Sequence, residues 1–471
     1  MSRTLTIDPV TRIEGHAKIT IQLDEAGQVR DAHFHVTQVR GFEKFVEGRP
    51  FQEMPSLMAR ICGICPVSHL MASAKACDMI MAVHIRHTAA MLRRIMNMAQ
   101  IMQSHALSYF YLSAPDLLLG MDAPPEQRNI FGLLEADPEM ARAGVKLRAT
   151  GQKIIEILGG KRIHPAWVVA GGVASPLTEE KRAEILALLP DALVLAQQAF
   201  ERFAPSLERF QAEIESFANF PTLFMGLCSK QNTLEFLNGD LCVIGPNFEP
   251  LERTSNAEDY DELIGEAVLP YSYLKSPYYK PLGYPAGVYR VGPLARLNIV
   301  ERPGTPMADR AFAEWHKVDR QSSFHYHLAR LIEIIYCIER IGELLHEPDI
   351  MNANVRSHAP VNRAQGVGIS EAPRGTLIHH YGVDDDGLMT YANLIIATGH
   401  NNPAMDRGVL QVAQRFVKGD ELQEGMLNRV EAVIRAYDPC LSCSTHAAGQ
   451  MPMQIELLSA EGDVLSRVAR G

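Results

Sequence analysis

Strict alternation of apolar and polar positions marks the first forty residues as strands. Residues 4–7, 17–23 and 29–39 place an apolar side chain at nearly every second position, the pattern of half-buried sheet. Asp24, Glu25, Ala26 and Gly27 supply turn chemistry between the last two runs, so a hairpin is expected there. After Pro55 the period lengthens. Residues 66–84 and 86–113 repeat Met, Ala, Leu and Ile at helical spacing and are apolar over much of their circumference. Helices of that kind belong inside a bundle. Residues 138–159 and 178–217 also read as long helices, separated by a glycine-rich break (VVAGGVASP, 168–176).

Residues 220–300 are richer in Gly, Pro and aromatics and read as loops with short strands. Helix returns over 308–347. The stretch 350–403 reads as irregular, with a strand-like TYANLIIAT at 390–398, and helices follow at about 405–417 and 420–436. No internal repeat or linker interrupts the chain. The expected fold is α+β: one mainly helical unit with a central helix bundle and a β-rich N-terminal edge.

Composition and charge narrow the function. A net charge of −10 with scattered basic residues gives no electrostatic reason to bind nucleic acid or an anionic membrane. No apolar run reads as long enough to span a bilayer. The N-terminal segment is polar where a signal peptide needs an apolar stretch, so a cytoplasmic protein is expected. Of eight cysteines, Cys77, Cys228, Cys242 and Cys337 are isolated in apolar contexts and read as small buried hydrophobes.

The other four carry the chemistry. Cys62 and Cys65 form one CxxC and Cys440 and Cys443 another, each trailed by a histidine, His69 and His446. Thiolates three residues apart can face one metal, and Pro66 suits the first turn of a helix whose N-terminus stabilises them. Zinc ribbons keep both pairs within one small module, whereas almost the whole chain lies between these two. A shared soft-metal centre is favoured over redox disulfides, and spacing alone leaves zinc, iron and nickel open. Neither pair reads CxxCH, which excludes covalent haem attachment. The methionines from Met79 to Met102 read as core packing, and His84, His87 and His325 as structural.

The RxCGxCxxxH block at 60–69 and the DPCxxCxxH block at 438–446 resemble the two signatures of the large subunit of nickel–iron hydrogenases. RIEGH at 12–16, RGFEKFVEGR at 40–49, EAPRG at 371–375 and ATGHNN at 397–402 extend the resemblance along the whole chain. The texture is most similar to the cytoplasmic, NAD-reducing bidirectional type. The resemblance implies that Cys62 and Cys440 are terminal nickel ligands. It implies that Cys65 and Cys443 bridge to an iron carrying CO and cyanide. Glu43 and His446 would hold magnesium or a similar ion, with a backbone carbonyl near 393–396. Glu14 matches a proton-relay carboxylate and Arg374, with Pro373, an arginine facing the iron ligands; Asp438 would pair with it or with nearby groups. His69 would hydrogen-bond a cysteine sulfur. A departure falls at Ser104-His105, where many respiratory members carry aspartate before histidine.

Simple chemistry fits these roles. Heterolytic cleavage of H2 needs an electron-rich metal with a base beside it, and a terminal thiolate such as Cys440 can take the proton. A guanidinium, with a pKa above ~12, more naturally suits an electrostatic anchor at Arg374, with a role as base kept open. A buried carboxylate of raised pKa suits a relay at Glu14. Taken singly, Glu14 and Glu43 read as salt-bridge partners and Arg374 as a loop cap; only the blocks lift them.

The chain has no ferredoxin-like cysteine spacing and no flavin or dinucleotide fingerprint. The resemblance therefore implies partners: a small subunit with an iron–sulfur cluster, and diaphorase subunits carrying FMN and NAD. It also implies nickel chaperones and a maturation protease that removes a C-terminal extension, 447–471, after His446, leaving one domain, 1–446. Three readings compete. The first is the hydrogenase catalytic subunit, NAD-linked or linked to F420 or ferredoxin. The second is a non-catalytic scaffold like the quinone-site subunit of complex I, which the retained cysteines disfavour. The third is a zinc-stapled scaffold.

Overall fold

The computed structural model describes residues 3–418, 423–446, 453–458 and 464–470. The N-terminal alternation produces an antiparallel meander of β1 (Arg3–Ile7), β2 (Ala17–Leu23) and β3 (Val29–Val36). Ala17, Ile19, Ile21 and Leu23 are buried while Lys18, Thr20 and Gln22 face outward.

Four long helices follow: α1 (Pro66–Ile80), α2 (His87–Leu107), α3 (Pro138–Gly159) and α4 (Glu179–Phe203). The helix expected to run on to 113 widens into a π-turn over Ser108–Ser113. Pro115, just beyond, has no N–H for the preceding turn, which explains the change of pitch. The helix expected over 178–217 breaks after α4 into a 3-10 turn, Ala204–Phe210, with Pro205 in its first turn, and a short helix, Gln211–Ser216. Contrary to the expectation that no run could span a bilayer, the helical stretch Glu179–Ser216 contains a segment long and apolar enough to do so by length and composition alone. Its face opposite α3 exposes Glu184, Asp191 and Glu201, which is the pattern of an amphipathic surface helix.

Next comes a four-stranded sheet of β4 (Leu223–Cys228), β5 (Asp240–Ile244), β6 (Pro250–Thr254) and β7 (Tyr289–Arg290), ordered β7-β4-β5-β6. Helices α5 (Pro293–Ile299) and α6 (Tyr326–Leu345) lead on from it. Helix α2 packs along α3 and α6, and α6 along α4.

The stretch expected to be irregular is instead a second antiparallel meander: β8 (Gln365–Ala372), β9 (Gly375–Val383) and β10 (Met389–Ile395). Apart from Gln365 and His380, every residue of β8 and β9 is buried, so no alternation betrays them. Strand β8 lies directly against α1. A Cβ on Gly368 would sit 1.9 Å from the Ala72 carbonyl, so only glycine permits the approach. Helix α7 (Ala397–Phe416) begins eight residues before its expected start and runs through Pro403. Helix α8 (Glu424–Tyr437) and a one-turn helix α9 (Leu441–Ser444) bring the chain back to the N-terminal end. A final strand pair joins Met453–Leu458 to Val464–Arg470.

Candidate metal centre

Two tight turns deliver the four cysteines. Cys62 ends a 3-10 turn in extended conformation, and Cys65 is the N-cap of α1, with Pro66 first in the helix. The backbone N–H groups of Ile64 and Cys65 donate to the Cys62 sulfur at 3.2 and 3.1 Å. Cys440 is the N-cap of α9, and its N–H donates to the Thr398 hydroxyl at 2.9 Å. Between α8 and α9, Asp438 adopts the left-handed conformation (φ 54°), which aspartate tolerates better than most residues.

The N-terminal block holds this turn from the far side. The Leu441 N–H donates to the Glu14 carbonyl at 3.1 Å, and the Ser442 N–H to the Glu14 carboxylate at 3.1 Å. Gly15 has φ +93°, and a Cβ there would lie 2.6 Å from that of Leu441. The glycine of RIEGH is thus required by close packing.

The four sulfurs lie within 4.8 Å of one another and are buried. Cys65–Cys62 is 3.0 Å, Cys440–Cys443 2.8 Å, Cys62–Cys440 3.5 Å and Cys65–Cys443 3.7 Å. Such crowding favours loss of protons to a cation. Hydrogen bonds from Cys440, Cys443 and Cys62 hold the Cys65 thiol well below its ordinary value, while burial pushes Cys440 and Cys443 up. The donor set, four buried cysteine sulfurs, suits a soft metal.

Arg374 stands beside this cluster. Its Nε donates to the Asp438 carbonyl at 2.5 Å, and Nη2 to the Asp438 carboxylate at 3.0 Å. Burial opposes its charge, but Asp438 and the sulfurs more than offset that and raise its pKa. Nη1 reaches the Ser104 hydroxyl at 3.4 Å, so the serine at 104 places a neutral group against this guanidinium. His105 turns away and donates to Glu333 at 2.7 Å.

Glu43 and His446 meet in a small pocket that Leu394, Ile395 and Ile396 also line. Burial raises Glu43, which accepts from the Leu394 N–H at 2.9 Å. Burial depresses His446 to about 3, and its Nε2 is buried without a partner. An orphaned neutral imidazole beside a carboxylate is a fitting pair of cation ligands. The sequence did not single out Glu266 and Lys275, which share the pocket and pair with each other at 3.1 Å. Glu14 is half-buried and not buried as expected.

Residues 4–39 match the HoxL-like profile, and residues 40–127 and 247–446 match the profile of nickel-dependent hydrogenases. The chain belongs to the nickel-dependent hydrogenase family. It is 42% identical to the NAD-reducing hydrogenase HoxS subunit beta of Cupriavidus necator, over 100% of both chains. It is 41% identical to a chain of the F420-non-reducing hydrogenase of Methanothermobacter marburgensis, over 98% of this chain and 99% of that one. Among solved structures, an NAD+-reducing [NiFe]-hydrogenase in the H2-reduced state superposes with a TM-score of 0.91 at 43% identity. It covers 94% of this chain and 99% of that one.

Further residues of this nickel-dependent hydrogenase support the cluster without having been singled out by the sequence. Thr398 anchors Cys440. Arg296 donates to the carbonyls of Ala372 and Pro373 at 3.0 and 3.2 Å and so holds the loop that presents Arg374. His379 and Tyr381, on β9, stand behind His69. The first was hidden in ATGHNN. The others are far apart in sequence and carry no spacing signal.

Proposed function

We propose that this chain is the H2-activating subunit of a NAD-linked nickel–iron hydrogenase. The observation that carries the reading is the buried four-sulfur cluster, joined from both ends of the chain. Cys62 and Cys440 would serve as terminal nickel ligands, and Cys65 and Cys443 as bridges to an iron bearing CO and cyanide. When bound, that centre supplies the electron-rich metal on which H2 is split.

The protein side chains do the rest. The Cys440 sulfur takes the proton, and Glu14, hydrogen-bonded at Ser442 two residues on, carries it toward the open side. Arg374, anchored by Asp438, supplies a fixed positive charge where iron-bound anionic ligands would sit. Glu43 and His446, with a backbone carbonyl near 393–396, would hold magnesium or a similar ion. Electrons leave to a small subunit with an iron–sulfur cluster and then to diaphorase subunits with FMN. The likeness to NAD-reducing relatives supports NAD as final acceptor, and a cytoplasmic reaction is part of the same proposal.

Infrared spectroscopy and metal analysis of the native complex test this directly. CO and cyanide stretching bands with stoichiometric nickel are expected; zinc without such bands would refute the assignment. A second expectation concerns maturation. His446 is buried against Phe42 and lines the pocket that holds Glu43. We propose that a protease cuts between His446 and Ala447 once nickel is loaded; Ala447 lies outside the described residues. Intact mass of the active enzyme should correspond to residues ending at His446, and full activity with 447–471 retained would overturn the proposal.

A further inference from the structure

Two buried glutamines converge on one peptide group of the first cysteine turn. Helix α2 is rich in Met, Ala and Ile, yet it buries Gln100 and Gln103, which are 1% and 4% exposed. Three residues apart on a helix, they share a face. Gln100 Nε2 donates to the Ile64 carbonyl at 2.8 Å, and Gln103 Nε2 donates to the same carbonyl at 2.9 Å. A carbonyl oxygen only accepts, and it has two lone pairs, so both amides present their NH2 groups and both bonds are accommodated. The arrangement is not a cheap way to fill space. Gln100 Oε1 is buried and accepts no hydrogen bond among the described residues, a cost that an aliphatic side chain would avoid.

The held carbonyl is one end of a peptide group whose other end points at the cluster. The Ile64 C=O and the Cys65 N–H belong to one planar unit, so fixing the first fixes the direction of the second. That Cys65 N–H donates to the Cys62 sulfur at 3.1 Å. Two donors on the carbonyl also polarise the unit and strengthen the N–H···S bond, because hydrogen bonds in series reinforce one another. A sulfur that accepts a stronger hydrogen bond gives less electron density to its metal. We propose that Gln100 and Gln103 are positioning residues for the metal centre: through the Ile64–Cys65 peptide they hold a donor against the Cys62 sulfur and lower its electron donation. They act through that peptide and not on the reacting atoms.

This inference rests on the nickel–iron reading, and one experiment separates the two. Infrared spectra and nickel content are measured on native complexes of the wild type, Gln100→Met, Gln103→Met and the double variant. Methionine keeps the length of the side chain and removes the donor. Each single variant leaves one amide on the Ile64 carbonyl, and the Ile64 N–H, at 3.2 Å from the Cys62 sulfur, is untouched. Nickel should therefore be retained. Both single variants should move the CO bands to lower wavenumber, as a more electron-rich centre donates more to CO, and the double variant should move them further. Met98→Leu, on the opposite face of α2, is the packing control and should leave the bands in place. Bands unmoved in both single variants overturn the proposal, as do shifts in opposite directions or an equal shift in Met98→Leu. If one single variant fails to take up nickel, the other decides; if both fail, the pair serves assembly and not tuning, and the proposal falls. Wild-type enzyme without CO or cyanide bands would instead fail the nickel–iron reading, and this inference with it.

Discussion

Cys440→Ala reduces H2 oxidation to background while the NADH:dye activity of the partner subunits persists. The sulfur it removes lies 2.8 Å from Cys443 and 3.5 Å from Cys62, so no other side chain can fill its corner of the cluster. Three buried sulfurs remain, and the proton acceptor of the proposed reaction is lost with the fourth. Cys440→Ser separates the two losses. A hydroxyl is a harder and weaker ligand for a soft metal, so nickel content should fall along with activity. Cys228→Ala, in β4 and outside the four-sulfur cluster, is the control and should keep both. H2 oxidation surviving in Cys440→Ala with nickel bound would remove the residue from the reaction and leave it a structural role at most.

The cluster was legible because each half is a short, local pattern with its own geometry: two cysteines, a turn and a helix start. The N-terminal meander was legible for the same reason, since one face of β2 is wet and the alternation survives. Strands β8 and β9 were not, because burial on both faces erases the period. The start of α7 was hidden by Pro403, which reads as a helix boundary yet lies inside the helix. Ser73, Tyr381 and Arg296 were invisible for a different reason. Their partners lie far along the chain, 37 to 77 residues away for Arg296 and 308 between Tyr381 and Ser73, and nothing in either neighbourhood announces the pairing. Glu14 shows the converse: its motif located it beside Cys440, but its degree of burial is a property of the assembled surface and not of the motif.

Arg296→Met should be the most damaging substitution outside the cysteines, at about 3–5 kcal/mol of stability, the cost of stripping one partner from a buried ion pair. Arg296 is wholly enclosed and serves two wholly enclosed glutamates. Its Nε and Nη2 fork onto Glu333 at 2.7 Å each, and Nη1 reaches Glu371 at 2.6 Å. Burial raises Glu333, but the forked guanidinium and His105 more than offset it and hold the carboxyl at about 2. Glu371 has a single guanidinium contact, and burial wins there, leaving it raised. A carboxylate depressed from 4.5 to about 2 binds fewer protons folded than unfolded. Its contribution is therefore complete above pH 4.5 and fades as the pH falls toward 2. In Arg296→Met the sign reverses: two buried glutamates without a cation are both raised, and stability is lost as the pH climbs through their pKa values. Arg296→Lys should fall between, because an ammonium cannot fork onto Glu333. Glu333→Gln should cost less than Arg296→Met, since Arg296 keeps Glu371. Thermal midpoints of the complex across pH give the ranking, and an Arg296→Met enzyme as stable as wild type with unchanged pH dependence would contradict it. The substitution should also lower H2 turnover. The same guanidinium holds Ala372 and Pro373, and through them the arginine that faces the metal centre.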